Sequence, residues 1–132
     1  MRQGNGSSDQ DDSPLCVYRL RFTDRALTEI DTAHDRLAVY SGKAAADAWE
    51  KGLFEEIAKL GTLPLRHPAP AEAARFHGNV RQFVYRRGGS STYRVIFAVQ
   101  EEDMDGPTVL VLAVRLSAAK PITGAEAQEI EA

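Results

Sequence analysis

Residues 80–116 read VRQFVYRRGGSSTYRVIFAVQEEDMDGPTVLVLAVRL. In the first six, Val80, Gln82 and Val84 alternate with Arg81, Phe83 and Tyr85, the two-residue period of a strand with unlike faces. Residues 92–100 and 108–116 are rich in β-branched side chains, which suit a pleated, half-buried surface. Arg87-Gly88-Gly89-Ser90-Ser91 separates the first two runs, and an acidic stretch ending in Gly106-Pro107 separates the last two. Both have turn chemistry, so the three runs predict an antiparallel meander.

Working upstream, residues 15–23 place Cys16, Tyr18, Leu20 and Phe22 on one face and Val17, Arg19 and Arg21 on the other, predicting an earlier strand. Thr23 can cap a following helix, in which Ala26, Ile30, Ala33, Leu37 and Tyr40 share a face. Ser41-Gly42 interrupts the pattern. A second helix from Lys43 aligns Ala46, Trp49, Leu53, Ile57 and Leu60, and Gly61 is placed to end it in a left-handed turn. Two amphipathic helices with so short a link form an antiparallel hairpin. Pro64, Pro68 and Pro70 then argue against regular structure, and residues 71–79 read equally as a helical turn or an irregular loop.

The order β-α-α-β-β-β predicts an α+β fold, a helical hairpin packed on one face of a small, mostly antiparallel four-stranded sheet. A sheet covered on one side alternates apolar-in with polar-out, so the other face is expected to be bare and arginine-bearing. That face is the candidate site.

A chain of 132 residues suits one domain. Its composition, 43% hydrophobic and 27% charged, is that of a globular protein. Residues 1–14 read as a disordered acidic tail, 15–121 as the domain, and 122–132 as a flexible acidic tail; from Ser117 onward the pattern is weak, and Pro121 and Gly124 oppose a continuous helix. Cys16 has no second thiol to pair with. With no secretory pattern and no apolar run long enough for a membrane span, a cytoplasmic protein without membrane association is expected.

The net charge of −3 conceals an uneven distribution. The domain alone is +2, and residues 66–94 hold six arginines against Glu72, a local +5. Such a field favours polyanions or an acidic partner.

The pattern resembles the RelE/ParE superfamily of toxins from bacterial type II toxin-antitoxin modules. The resemblance runs from residue 18 to residue 122. It rests on Phe22-Thr23 with Ala26 and Ile30, the Ala46 and Trp49 helix, the proline loop, Val80-Arg81-Gln82-Phe83-Val84-Tyr85, Tyr93-Arg94-Val95-Ile96-Phe97, and the closing Val109 to Arg115 strand. It implies a growth-inhibiting toxin neutralised by a cognate antitoxin, as a homodimer or in a toxin-antitoxin hetero-oligomer. RelE-like members cleave messenger RNA on the ribosome without a metal; ParE-like members act on DNA gyrase. It carries Arg81, Tyr85, Arg94 and Arg115 over as functional or sheet-surface positions, and so as the catalytic candidates if the chain is an enzyme.

Two departures bear on the choice. Many relatives follow the last arginine with histidine, where this chain has Leu116, and RelE-like nucleases tend to place a tyrosine beyond the last strand, where this chain has Ser117 and no later tyrosine. RNA cleavage needs a base for the 2′-hydroxyl, cations for the phosphorane and an acid for the leaving oxygen. Arginine supplies only the cation. Acid and base would fall to His77, Glu72, Tyr85 or Tyr93, and a tyrosine near its reference pKa of about 10 needs strong help to ionise.

A target or phosphate contact is therefore expected from Arg81, Arg86, Arg87, Tyr93, Arg94 and Arg115. Against it stand a structural pairing of the strand arginines with Glu72 or the acidic turn, and ordinary packing of the tyrosines across the sheet. No spacing of His34, His67 and His77 suggests a metal, and no phosphate-cradling loop precedes a helix, so no cofactor is expected. The favoured reading is a toxin acting on gyrase or another protein. A RelE-type endonuclease and a degenerate member that only binds its antitoxin are the alternatives.

Overall fold

The computed structural model describes residues 17–87 and 91–132. The tail expected over residues 1–14, Leu15 and Cys16 of the expected first strand, and residues 88–90 of the expected hairpin turn lie outside the described residues. Strand β1 is Arg19–Phe22, followed by helices α1 (Asp24–Ser41) and α2 (Lys43–Ala58), strands β2 (Val80–Tyr85), β3 (Tyr93–Gln100) and β4 (Thr108–Leu116), and helix α3 (Gly124–Glu131). The sheet order is β1-β4-β3-β2. β1 runs parallel to β4, and the other neighbours are antiparallel.

Local chemistry accounts for the boundaries. The Thr23 hydroxyl accepts the Ala26 N–H at the start of α1, as an N-cap should. Gly42 takes φ +91° between the two helices, a conformation open to glycine at little cost. Gly61 does not use a left-handed turn; α2 ends at Ala58 and runs into a 3₁₀ turn, Lys59–Gly61. The left-handed residue is Leu63, φ 53°, just before a second 3₁₀ turn at Pro64–Arg66. Single 3₁₀ turns thus fit among prolines that exclude a longer helix. The open segment 71–79 contains a third, Ala73–Arg75.

One core lies between the hairpin and the sheet. Ile30, Trp49, Leu53 and Ile57 are buried there with Val95, Phe97, Val109 and Val111. The second sheet face overturns an expectation. Val80, Ile96, Ala98 and Leu112 form an apolar cluster on it with Phe76, Ile122, Ala127 and Ile130. That face is covered, because residues 122–132 are not a flexible tail. Thr123 caps α3 by accepting the Glu126 N–H, and Ile122, Ala127 and Ile130 are buried. A β-bulge between Ile96 and Phe97 shifts the β3–β4 register within this region, reorienting the residues that follow.

Candidate functional site

Cross-strand register sets which arginines share a face. Val84 pairs with Arg94 and Arg94 with Arg115, a row on the α3 side of the sheet. Directly opposed like charges repel, and each guanidinium here is answered by a carboxylate. Arg94 donates from Nη1 and Nη2 to the two Glu72 oxygens, both at 2.9 Å, and from Nη1 to Gln82 Oε1 at 3.0 Å. Arg115 donates to Glu126 Oε2 at 2.9 Å and to the Lys120 carbonyl at 2.9 Å. The fork-to-fork Arg94–Glu72 geometry is the strong form of this contact.

Glu72 is 5% exposed. The Arg94 hydrogen bonds, opposed by burial and helped by the Ile122 N–H at 3.0 Å, hold its carboxyl at about 2. Glu126 also faces Arg25 at 3.3 Å, and Arg25 faces Glu29 at 3.4 Å. Burial raises the Glu29 carboxyl although it accepts the Val114 N–H at 2.8 Å. Two clefts adjoin these pairs, one of about 520 Å³ lined by Arg75, Arg94 and Ser117 and one of about 320 Å³ lined by Arg36, Tyr93 and Arg115.

Arg81 is separate from Arg94 and Arg115. Its row contains Phe97, on the helical side of the sheet. Its Nη1 donates to the carbonyls of Leu65 at 3.1 Å and His67 at 3.0 Å, and its Nε to Asn79 Oδ1 at 3.2 Å. It fastens the proline loop to β2. The face expected to be bare and arginine-bearing thus carries Arg94 and Arg115 but not Arg81, and it is covered, with Arg94 paired to Glu72 and Arg115 to Glu126 of α3.

The tyrosines pack inward. The Tyr85 hydroxyl donates to the Trp49 carbonyl at 2.9 Å, and burial raises its pKa. The approach depends on Gly52, since a Cβ there would collide with the Tyr85 oxygen. Tyr93 is buried edge-on to Trp49 at 5.1 Å. Arg86 and Arg87 are exposed and line a cleft of about 280 Å³ with Glu55 and Glu56.

The histidines are dispersed. His67 lies against Phe83 and Phe97, with its pKa lowered by burial and then by Arg66. The exposed His77 gives its backbone N–H to Glu131. His34 Nε2 is 2.8 Å from Asp47 Oδ1, and that bond raises its pKa. Among the described residues no group of three or more His, Cys, Asp or Glu could hold a metal ion, and no helix is long and apolar enough to cross a membrane.

Sequence reasoning missed Arg25, Glu29 and Glu126, which complete the Arg115 network. The usable signal was Thr123-Gly124-Ala125-Glu126, whose threonine three residues before a glutamate is a helix-start pattern.

A family model described as "ParE toxin of type II toxin-antitoxin system, parDE" matches residues 20–120. A solved structure titled "Chromosomal ParDE TA system from P. aeruginosa" superposes with a TM-score of 0.60 at 19% identity, covering 76% of this chain and 96% of that one. At that identity the likeness concerns the fold. No curated protein matches the sequence.

Proposed function

Because the chain belongs to the ParE toxin family of type II toxin-antitoxin modules, we propose that it arrests growth by gripping DNA gyrase or another protein target, and that a cognate antitoxin holds it inactive. The observation that carries the choice against RNA cleavage is the pairing of Arg94 with Glu72 and of Arg115 with Glu126. A phosphate would have to displace a carboxylate from each guanidinium before either could stabilise a phosphorane. Two of the proton-transfer candidates, Tyr85 and Glu72, are equally committed. Tyr85 is hydrogen-bonded and shifted away from ionisation, Glu72 is held as a carboxylate by Arg94, and Leu116 stands where many relatives have histidine. General acid-base help is typically worth 10²- to 10⁴-fold.

A protein poison needs none of this. It needs a shaped surface, and Arg86 and Arg87 remain exposed beside Val84, itself 57% exposed. An acidic partner would be steered to that end of the sheet, and its binding would weaken with salt.

The test adds purified protein to a translating extract and to a gyrase supercoiling reaction. Message is expected to stay intact while supercoiling is inhibited, and co-expression with the product of a neighbouring small reading frame should relieve arrest. A clean cleavage pattern in the ribosomal A site, abolished at Arg94 or Tyr85, would restore the RelE-type endonuclease. Antitoxin binding without any growth arrest would leave the degenerate member.

A further inference from the structure

A pocket of about 270 Å³ lies between the C-terminal turns of α1, Trp49 of α2 and the start of β3. Leu37, Trp49 and Tyr93 supply its apolar walls, Arg36, Tyr40 and Ser41 its polar ones, and none of its lining residues carries a carboxylate. The other clefts all have glutamates in their walls, and Arg36 also borders one of them on the side of Glu29 and Glu126. Arg25, Arg94 and Arg115 are bonded to carboxylates, whereas Arg36 is exposed and makes no hydrogen bond or ion pair among the described residues.

A second observation points the same way. Trp49 is 1% exposed, yet its indole N–H has no acceptor among the described residues. Buried donors are nearly always satisfied, and an unpaired one carries a desolvation cost that an incoming acceptor relieves. The lining thus combines an uncommitted cation, hydroxyl donors and two aromatic rings set edge to face, one of them the tryptophan with the unpaired N–H. Small-molecule sites have this character, mostly apolar with a few convergent polar groups.

We propose that this pocket binds a small organic acid, its carboxylate on Arg36 and its apolar body between Leu37, Trp49 and Tyr93. One cation matches one negative charge, and a guanidinium meets a carboxylate through two parallel N–H···O bonds. The aromatic walls favour a flat or branched hydrocarbon body over a sugar. The volume admits a ligand smaller than a typical drug. This site does not depend on how the chain acts on its target.

Trp49 is the only tryptophan, so its fluorescence reports on the pocket directly. The full chain is titrated with 3-phenylpropionate and, separately, with the neutral 3-phenylpropanamide. A saturable change with the acid is expected, with Kd on the order of 0.1 to 1 mM for so small a ligand. Binding of the amide should be at least about tenfold weaker. Arg36→Gln, at an exposed and unpaired position, should weaken the acid by a similar factor while leaving the melting temperature close to wild type, and Arg36→Lys should retain part of the affinity. No saturable change up to about 10 mM acid would overturn the proposal. So would equal binding of acid and amide, or an Arg36→Gln variant that binds the acid as the wild type does.

Discussion

Replacing Glu72 by glutamine removes the anion that holds Arg94 while preserving the side chain's shape. A carboxyl held at about 2 against an ordinary 4.5, at about 1.4 kcal/mol per tenfold change, contributes on the order of 3 kcal/mol at neutral pH. Glutamine keeps one acceptor oxygen, which lessens the loss. It also strands the Arg94 guanidinium, 12% exposed, and an uncompensated buried charge costs about 3–5 kcal/mol. Glu72→Gln should therefore lose about 2–4 kcal/mol at pH 7, read from urea unfolding. The pH dependence has a definite sign. A carboxyl lowered in the folded chain stabilises above its unfolded value and loses that contribution as pH falls from about 4.5 towards 2, so the gap between wild type and variant should narrow across that window. Adding Arg94→Met to Glu72→Gln should recover part of the loss, because the stranded charge has gone. A Glu72→Gln loss below about 0.5 kcal/mol, or a gap unchanged between pH 7 and pH 3, would refute the assignment of this pair as a structural clamp.

Leu53, fully buried between the hairpin and the sheet, should cost about 2–5 kcal/mol when cut to alanine, measured by the same unfolding assay. Tyr85→Phe should lose about 1 kcal/mol with the bond to the Trp49 carbonyl, and absorbance titration of the wild type should place one phenol above the ordinary 10. The His34 ring, raised by its bond to Asp47, should titrate by NMR above 6.5 and return towards it in Asp47→Asn; a raised histidine stabilises the folded chain at pH below its unfolded value and loses that contribution as pH climbs through the folded one.

The hairpin and meander were legible because their signals are periodic. Leu53 and Ile57 sit four apart on a helix, and Phe83 and Tyr85 two apart on a strand, so each pattern names its buried face without reference to the rest of the chain. The second sheet face was not legible, because its cover is assembled from pieces too short to show a period. Phe76 comes from the loop between the third 3₁₀ turn and β2, Ile122 from a connector, and Ala127 and Ile130 from an eight-residue helix. The candidate site followed the same division. The parity of Arg94 and Arg115 was readable once β3 and β4 were aligned, and Arg81 was readable as lying on the opposite parity to Gln82. What bonds each arginine depends on contacts across 11 to 22 residues, and no local pattern encodes those.

On the function proposed above, this toxin stops growth by holding a protein and not by cutting message. The direct test is the order in which synthesis fails after induced expression, followed by pulse labels for DNA and for protein in the same culture. DNA synthesis should fall first, with ribosome-bound message still full length by primer extension. Protein synthesis failing first, with message severed at the A site, would mean that the toxin is a nuclease.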